Sequence, residues 1–281
     1  MAQAAIIRRQ WSSLPAGGDE RIGSGAGVIK SESPMLRWIL ILSFVSFSCF
    51  AGALEGSGQA GRVVAPLQPS LMVVIGFVGG FVRHNDTVHR EVQLAAHLRN
   101  DYPSGIKAAI FENHLGRQAY QEILRSLDSN RDGSLSAEEK LAARIVLYGH
   151  SWGASQVVTT ARSLQKDGIP VLLTIQVDSV SKPGTNDRLI PANVEQAINF
   201  YQLDGFLHGQ RQILAADPSR TRILGNIKLV YKAKPVNCDG FPWYAQMFMK
   251  PHIEIESDPA VWNRIESLIR SKLPVLAAGP S

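Results

Sequence analysis

The sequence predicts an α/β fold in which helices flank a mostly parallel sheet. From about residue 71 onward, short and almost continuously apolar segments alternate with amphipathic helical segments. Such strands are typical of parallel sheets, whose helical connections cover both faces. The predicted strands are residues 71–75, 106–111, 144–148, 171–177 and 227–232, and the predicted helices are 89–100, 117–127, 154–165, 194–201 and 259–272. Residues 71–281 therefore form one predicted domain.

Residues 1–53 have the pattern of a targeting segment. Residues 1–34 are rich in Gly, Ser, Ala and Arg, and Met35, an alternative start, precedes Arg37 and an apolar run over 38–50. An A-x-A-like site at 51–53 follows, which is typical of a cleaved signal peptide. The prediction is a secreted or periplasmic protein. The alternative is an uncleaved N-terminal anchor, with membrane association through the apolar run.

The charge and cysteine content of the chain argue against nucleic-acid binding and an internal disulfide. The net charge is +5 over 281 residues, and no basic run with interleaved aromatic residues is present, so nucleic acid is not a predicted partner. Residues 54–70 are rich in Gly, Ala and Pro and predict a linker. Cys49 lies in the leader, which leaves Cys238 without an internal disulfide partner. Cys238 is expected to be a buried small side chain, with an exposed reactive thiol as the alternative.

The segment Gly149-His150-Ser151-Trp152-Gly153 carries the strongest chemical signal. It follows a β-branched apolar strand and precedes a helical segment. A serine hydroxyl becomes a good nucleophile when a sharp turn exposes it beside a base, and such a turn leaves room only for glycine on either side. Ser151 is therefore the candidate nucleophile.

At this point the chain resembles the α/β-hydrolase superfamily, whose members commonly show Gly-His-Ser-x-Gly here. The resemblance implies the chain order nucleophile, acid, histidine. His252 is the preferred base over His208, because it lies near the C-terminal helix. Asp178, at the end of a predicted strand, is the preferred acid. Asp239 matches another position used in the superfamily, so both acids stay open.

The oxyanion hole is expected to combine two backbone N–H groups. One is that of Trp152, directly after the nucleophile. The other comes from the glycine-rich stretch 75–81, with Phe77 or Val78 as the donor. The interruption at 179–221 is predicted to be an insertion that forms a lid or one wall of the cleft.

A second motif predicts a calcium site in the loop 128–139. Oxygen-bearing side chains fall at positions one, three, five, nine and twelve, with glycine at six, which matches the EF-hand loop. The candidate ligands are Asp128, Asn130, Asp132, Ser134, Ser136 and Glu139. The sequence shows no second EF-hand to pair with this loop, so calcium is expected to stabilise the scaffold. His84 and His89 are interpreted as loop and helix-start residues, since no ligand cluster accompanies them in the sequence.

The function predicted from these features is a serine hydrolase that cleaves carboxylic ester-like bonds through an acyl-enzyme. The expected partners are small-molecule or lipid esters, and no organic cofactor is expected. The alternative is a calcium-binding interaction protein on a non-catalytic hydrolase scaffold.

Overall fold

The computed structural model describes residues 71–273, which contain a six-stranded sheet. From one edge to the other, its strands are β2 Ile106–Glu112, β1 Met72–Val78, β3 Ile145–His150, β4 Val171–Val177, β6 Val194–Gln202 and β8 Arg222–Leu229. Every neighbouring pair in this sheet is parallel. Two short strands, β5 Leu189–Ile190 and β7 Leu214–Ala215, pair with each other in a separate sheet. The predicted fold class is confirmed.

The helices lie between and after the strands. They are α1 Arg90–Asp101, α2 Gly116–Leu127, α3 Ala137–Leu141, α4 Trp152–Lys166, α5 Trp243–Phe248, α6 Lys250–Ser257 and α7 Pro259–Arg270. None of the helices within residues 71–273 is long and apolar enough to cross a membrane. The predicted leader, anchor, linker and Cys49 lie outside the described residues.

Both faces of the sheet are packed, as its near-continuous apolar strands require. Along β1, Met72 and Val74 join one core cluster with Trp262 of α7, while Val73 and Ile75 join a second cluster. The second cluster includes residues of α2 and α4, so the alternation of side chains along each strand sorts them to opposite layers of helices. This packing fixes the strand ends that carry the site.

The segment 194–201, predicted as a helix, is instead the strand β6. Its apolar residues Val194, Ala197, Ile198 and Tyr201 have helical spacing, but the segment pairs in parallel with β4 on one side and β8 on the other. Pairing within the sheet outweighs the weak local pattern. The stretch 179–221 is consequently not a continuous insertion, because its middle is part of the main sheet.

The C-terminal part contains two more helices than the sequence predicted, α5 and α6. His252 lies inside α6 rather than in a loop before the last helix, and α6 is buried from His252 to Ser257. Asp258 ends α6 and caps α7, since its side chain accepts a hydrogen bond from Ala260 N–H. The last predicted strand also shifts, from 227–232 to the residues of β8.

Candidate active site

Ser151 lies on a sharp turn between β3 and α4. Its backbone has φ 55° and ψ −124°, in a region that residues with a Cβ rarely occupy. A Cβ at Gly149 would lie 2.6 Å from the carbonyl carbon of Gly153, and one at Gly153 would lie 2.2 Å from the carbonyl oxygen of Phe77. Only glycine fits at either position. The turn has the geometry expected of a nucleophile elbow.

Asp178 and His252 form a buried pair next to this turn. Asp178 Oδ2 lies 2.7 Å from His252 Nδ1, and both side chains are almost fully buried. Asp178 directly follows β4, whose Val177 carbonyl accepts a hydrogen bond from Ser151 N–H at 3.0 Å. The His252 ring packs on that of His150, with the ring centroids 4.4 Å apart. The structure thus brings the predicted acid and base together beside Ser151.

Four hydrogen-bond donors hold the carboxylate of Asp178. Oδ1 accepts from the backbone N–H groups of Gln202 at 3.2 Å and of Gly209 at 2.7 Å. Oδ2 accepts from the side-chain amide of Gln202 at 2.8 Å as well as from His252. Asp178 itself has φ 43°, and a Cβ at Gly209 would lie 2.3 Å from its carbonyl carbon. The stretch 202–209 therefore acts as a clamp on the acid.

The electrostatics of this pair suit a base held neutral by its surroundings. Burial alone would raise the pKa of Asp178, but its hydrogen bonds with His252 and Gln202 hold that pKa below its ordinary value. Burial lowers the pKa of His252, and the neighbouring His150 lowers it further, although Asp178 opposes the shift. A neutral imidazole whose Nδ1–H bonds a carboxylate leaves Nε2 free to accept a proton.

The alternative acid and the alternative base lie elsewhere. Asp239 is exposed in a turn, where its carboxylate accepts a hydrogen bond from the side chain of Asn237 at 2.7 Å. His208 is exposed, and its Nδ1 lies 3.3 Å from the carbonyl oxygen of Gly209. Within the described residues, Asp178 is the partner of His252. Cys238 is buried, in agreement with its expected packing role.

The turn beside Ser151 begins later in the chain than predicted. Phe77 and Val78 are fully buried inside β1, so neither lies in the loop. A Cβ at Gly79 would lie 3.0 Å from Ser151 Cβ, which places Gly79 against the nucleophile. Val82 N–H donates to Gly79 O and closes the turn, and Asn113 Nδ2 donates to Gly80 O at 2.5 Å. The turn after β1 therefore begins at Gly79, next to Ser151.

Phe81 and Trp152 form an apolar wall beside the elbow. The ring of Phe81 meets that of Trp152 edge to face, with centroids 5.6 Å apart, and Phe81 is 89% exposed. Trp243 and Met247 of α5, the helix before the one that carries His252, are also exposed. An exposed aromatic ring next to Ser151 is suited to contact an apolar group of a ligand.

The loop 128–139 is exposed and closed by internal hydrogen bonds. Glu139 accepts from Ser129 N–H at 2.7 Å and from Ser136 N–H at 3.0 Å, and Gly133 N–H donates to Asp128 at 3.0 Å. Hydrogen bonds from the Ser129 side chain and from these backbone groups lower the pKa of Glu139 to about 2. The carboxylates of Asp128, Asp132 and Glu139 are not among the side chains gathered within 4.8 Å in the described part of the chain. The loop has EF-hand order in sequence, with its carboxylates turned to their own backbone.

The structure also shows a cluster that the sequence did not reveal. His89 and Glu91, at the start of α1, lie with Glu256 of α6 so that one ligand atom from each falls within 4.8 Å of the others. His150 also faces Glu256. These residues are separated by up to 167 positions, and no spacing rule connects them. Only the meeting of α1, β3 and α6 brings them together.

Comparisons with known proteins show distant likenesses only. No protein-family model and no curated protein matches this chain. A thermostable esterase from Pseudomonas putida shares 11% identity over 75% of this chain and 77% of its own, with a TM-score of 0.39. A protein from Pectobacterium atrosepticum described as a YdeN-like hydrolase shares 15% identity over 73% of this chain and 94% of its own, with a TM-score of 0.34.

A dienelactone hydrolase-like phosphotriesterase from metagenomic libraries shares 12% identity over 74% of this chain and 89% of its own, with a TM-score of 0.35. At such low identities and TM-scores, these likenesses carry no argument about activity. The functional conclusion rests on the site itself.

Proposed function

We propose that this protein is a serine hydrolase that cleaves carboxylic ester-like bonds through an acyl-enzyme. The observation that carries the proposal is the buried Asp178–His252 pair, at 2.7 Å, beside a serine held at φ 55°. A base oriented by a carboxylate and placed next to a nucleophile on a sharp turn is the arrangement that acyl transfer requires. Acid, base and nucleophile follow in the chain order of the superfamily that the elbow resembles.

In the first half of the reaction, Ser151 Oγ attacks the ester carbonyl carbon while His252 Nε2 takes the hydroxyl proton. Asp178 holds the opposite nitrogen as Nδ1–H and stabilises the imidazolium that forms. The tetrahedral oxyanion accepts hydrogen bonds from Trp152 N–H and from an N–H of the Gly79–Val82 turn, with Gly80 or Phe81 as the donor. The carbon–oxygen bond to the alcohol then breaks, and the alcohol leaves with the proton from Nε2.

The second half repeats the chemistry with water. His252 Nε2 accepts a proton from a water molecule as its oxygen attacks the acyl carbon. When the bond to Ser151 Oγ breaks, the serine regains the proton and the carboxylic acid is released. The exposed ring of Phe81, which packs on Trp152 next to the serine, favours an apolar acyl group and supports small-molecule or lipid esters as the substrate class.

Hydrolysis of p-nitrophenyl esters from acetate to octanoate tests this proposal. We expect Ser151→Ala to lower kcat by at least ~10³-fold, because the nucleophile is lost while the oxyanion donors remain. Ser163→Ala is the matched control, since Ser163 is a residue of α4 whose hydroxyl bonds only the Thr159 carbonyl of the same helix. Hydrolysis that survives Ser151→Ala unchanged would contradict the proposal.

We further propose calcium as a stabilising ion of the loop 128–139, on the strength of the EF-hand spacing. Binding would require Glu139 to leave Ser129 and Ser136 and turn toward Asp128 and Asp132. Calcium at 100 times its Kd would add about 2.7 kcal/mol to the free energy of unfolding. Thermal unfolding in calcium and in EDTA tests this, with Glu139→Gln expected to abolish the difference and Glu138→Gln expected to keep it.

The calcium loop also defines the second candidate function, an interaction protein on a non-catalytic scaffold. The clamped Asp178–His252 pair favours the hydrolase, because an unused buried carboxylate would be costly to retain.

Secretion or periplasmic location, with an N-terminal membrane anchor as the alternative, remains a proposal carried by residues 35–53. Detection of the chain in a culture medium or periplasmic extract, cleaved after Ala53, tests it.

A further inference from the structure

Four ionisable side chains meet behind the Asp178–His252 pair. The carboxylate of Glu256, in α6, faces two histidines, with its oxygens 2.5 Å from His89 Nδ1 and 3.1 Å from His150 Nδ1. Glu91 Oε1 lies 3.8 Å from His150 Nδ1. The side chains of Glu91, Glu256 and His150 are 0%, 3% and 4% exposed, and that of His89 is 12% exposed. The cluster is therefore buried, with one histidine near solvent.

The two carboxyl groups of the cluster are unequally satisfied. Glu91 is fully buried, and neither of its side-chain oxygens has a hydrogen-bond partner. A buried carboxyl group without a donor is unstable unless something positive lies against it. Glu91 points at the same space as His89 and Glu256, since their ligand atoms lie within 4.8 Å of one another. A cation in this space would satisfy the oxygens of Glu91.

When its ring is neutral, His150 directs a lone pair into the same space. Its Nε2 lies 3.2 Å from the backbone carbonyl oxygen of His252, which can only accept, so Nε2 carries the proton. In the neutral ring, Nδ1 is then an acceptor, and it faces the oxygens of Glu256 and Glu91. Metal-binding histidines characteristically donate their second N–H to a backbone carbonyl in this manner.

We propose that His89, Glu91, His150 and Glu256 form a binding site for a divalent transition-metal ion, with Zn²⁺ as the representative ion. Two imidazole nitrogens and two carboxylates are a donor set that suits zinc, whereas calcium and magnesium prefer oxygen ligands alone. The charge balances, because one divalent cation neutralises two carboxylates. Ligand atoms around a tetrahedral zinc ion lie about 3.5 Å apart, so small side-chain movements complete the site.

The position of the ion indicates a structural role. It would connect α1, the end of β3 directly before Ser151, and α6, which carries His252. His150 bonds the ion through one nitrogen and the His252 carbonyl through the other. The proposal is independent of the hydrolase assignment and of the calcium loop, because it uses none of their side chains.

Metal titration of the full 281-residue chain tests the site. The protein is stripped with a chelator and titrated with Zn²⁺ in excess calcium, which keeps the loop 128–139 occupied. We expect one zinc ion per chain and a rise in Tm. His89→Gln and Glu91→Gln are expected to lose the bound zinc. The control His97→Gln should retain it, since His97 is an exposed residue of α1 that pairs with Glu266 at 3.2 Å.

Cobalt absorption provides a second readout that does not depend on the variants folding. Co²⁺ bound to the stripped wild-type protein is expected to give the visible absorption of a four-coordinate nitrogen and oxygen site, which one equivalent of Zn²⁺ then removes. A stripped protein that binds neither ion at one per chain would overturn the proposal, and Glu91 and Glu256 would then share a proton. Full zinc binding by folded His89→Gln would overturn it too.

Discussion

Asp178 Oδ2 lies 2.7 Å from His252 Nδ1, although 74 residues separate them in the chain. The contact joins the end of β4 to a buried helix, α6. Replacement of Asp178 by Asn keeps the shape but presents an amide that favours the wrong histidine tautomer. We expect kcat to fall by about 10⁴-fold with KM little changed, as in the comparable change in a serine protease. Asp239→Asn, in the exposed turn, should leave both constants unaltered, and steady-state kinetics on one soluble ester would compare them.

The clamp around Asp178 predicts a sensitive position remote from the substrate. Gly209→Ala would push a methyl group to 2.3 Å from the Asp178 carbonyl carbon, so the backbone must shift. We expect a loss of about 1–3 kcal/mol in the free energy of unfolding, together with reduced kcat. Gly105→Ala is the control, because its methyl group would meet Leu273 at an ordinary 3.5 Å. Urea unfolding measures the stability of each variant, and equal stability of the two variants would argue against the clamp.

Phe81 predicts how the site chooses acyl chains. Because its ring is 89% exposed and packs edge to face on Trp152, its removal should cost little stability. We expect Phe81→Ser to raise KM for octanoyl esters about 10-fold and to leave acetyl esters almost unchanged, since only longer chains reach the wall. An equal effect on both esters would place the wall away from the acyl group.

Lys182 predicts a pH-dependent stability. Its ammonium group donates to the Asn113 carbonyl at 2.6 Å and to Gln156 at 3.1 Å, and partial burial lowers its pKa from 10.5 to about 8. The folded state therefore binds this proton less tightly than the unfolded state. The charged Lys182 therefore reduces the free energy of unfolding. This reduction is fully present below pH 8 and disappears as the pH rises toward 10.5.

The difference in unfolding free energy between wild type and Lys182→Met isolates this effect. We expect the unfolding free energy of the wild type to rise relative to that of Lys182→Met between pH 8 and pH 10.5. Because Lys182 is only half-buried, solvent screening keeps the gain small. A constant difference across this range would show that the pKa of Lys182 is not lowered.

The chain's local signals predicted the fold class and the sharp turn at Ser151. The elbow leaves no room for a side chain at Gly149 or Gly153, and the same steric limit therefore produces both the sequence pattern and the turn geometry. The preference for Asp178 over Asp239 also agrees with the observed pairing, since a residue directly after a parallel strand lies at the sheet edge where ligands collect. These features depend on neighbours that are near in sequence.

The features that failed depend on partners remote in sequence. Residues 194–201 have the spacing of a helix, and only the neighbouring strands β4 and β8 make them a strand. Strand β1 continues to Val78, so the glycine turn begins after Phe77 and Val78, and no local signal marks this end of the strand. His89 could not be connected with Glu256 from the sequence, because their meeting depends on how α1 and α6 pack at the same sheet edge.

Active-site labelling tests the central claim most directly. The protein is treated with a fluorophosphonate ester, and its intact mass is compared with that of Ser151→Ala treated in the same way. A single adduct on the wild type, absent from Ser151→Ala and mapped by peptide digestion to Ser151, is the predicted result. A folded wild-type protein that takes up no adduct, or takes it up equally in Ser151→Ala, would contradict an activated serine at the β3–α4 elbow.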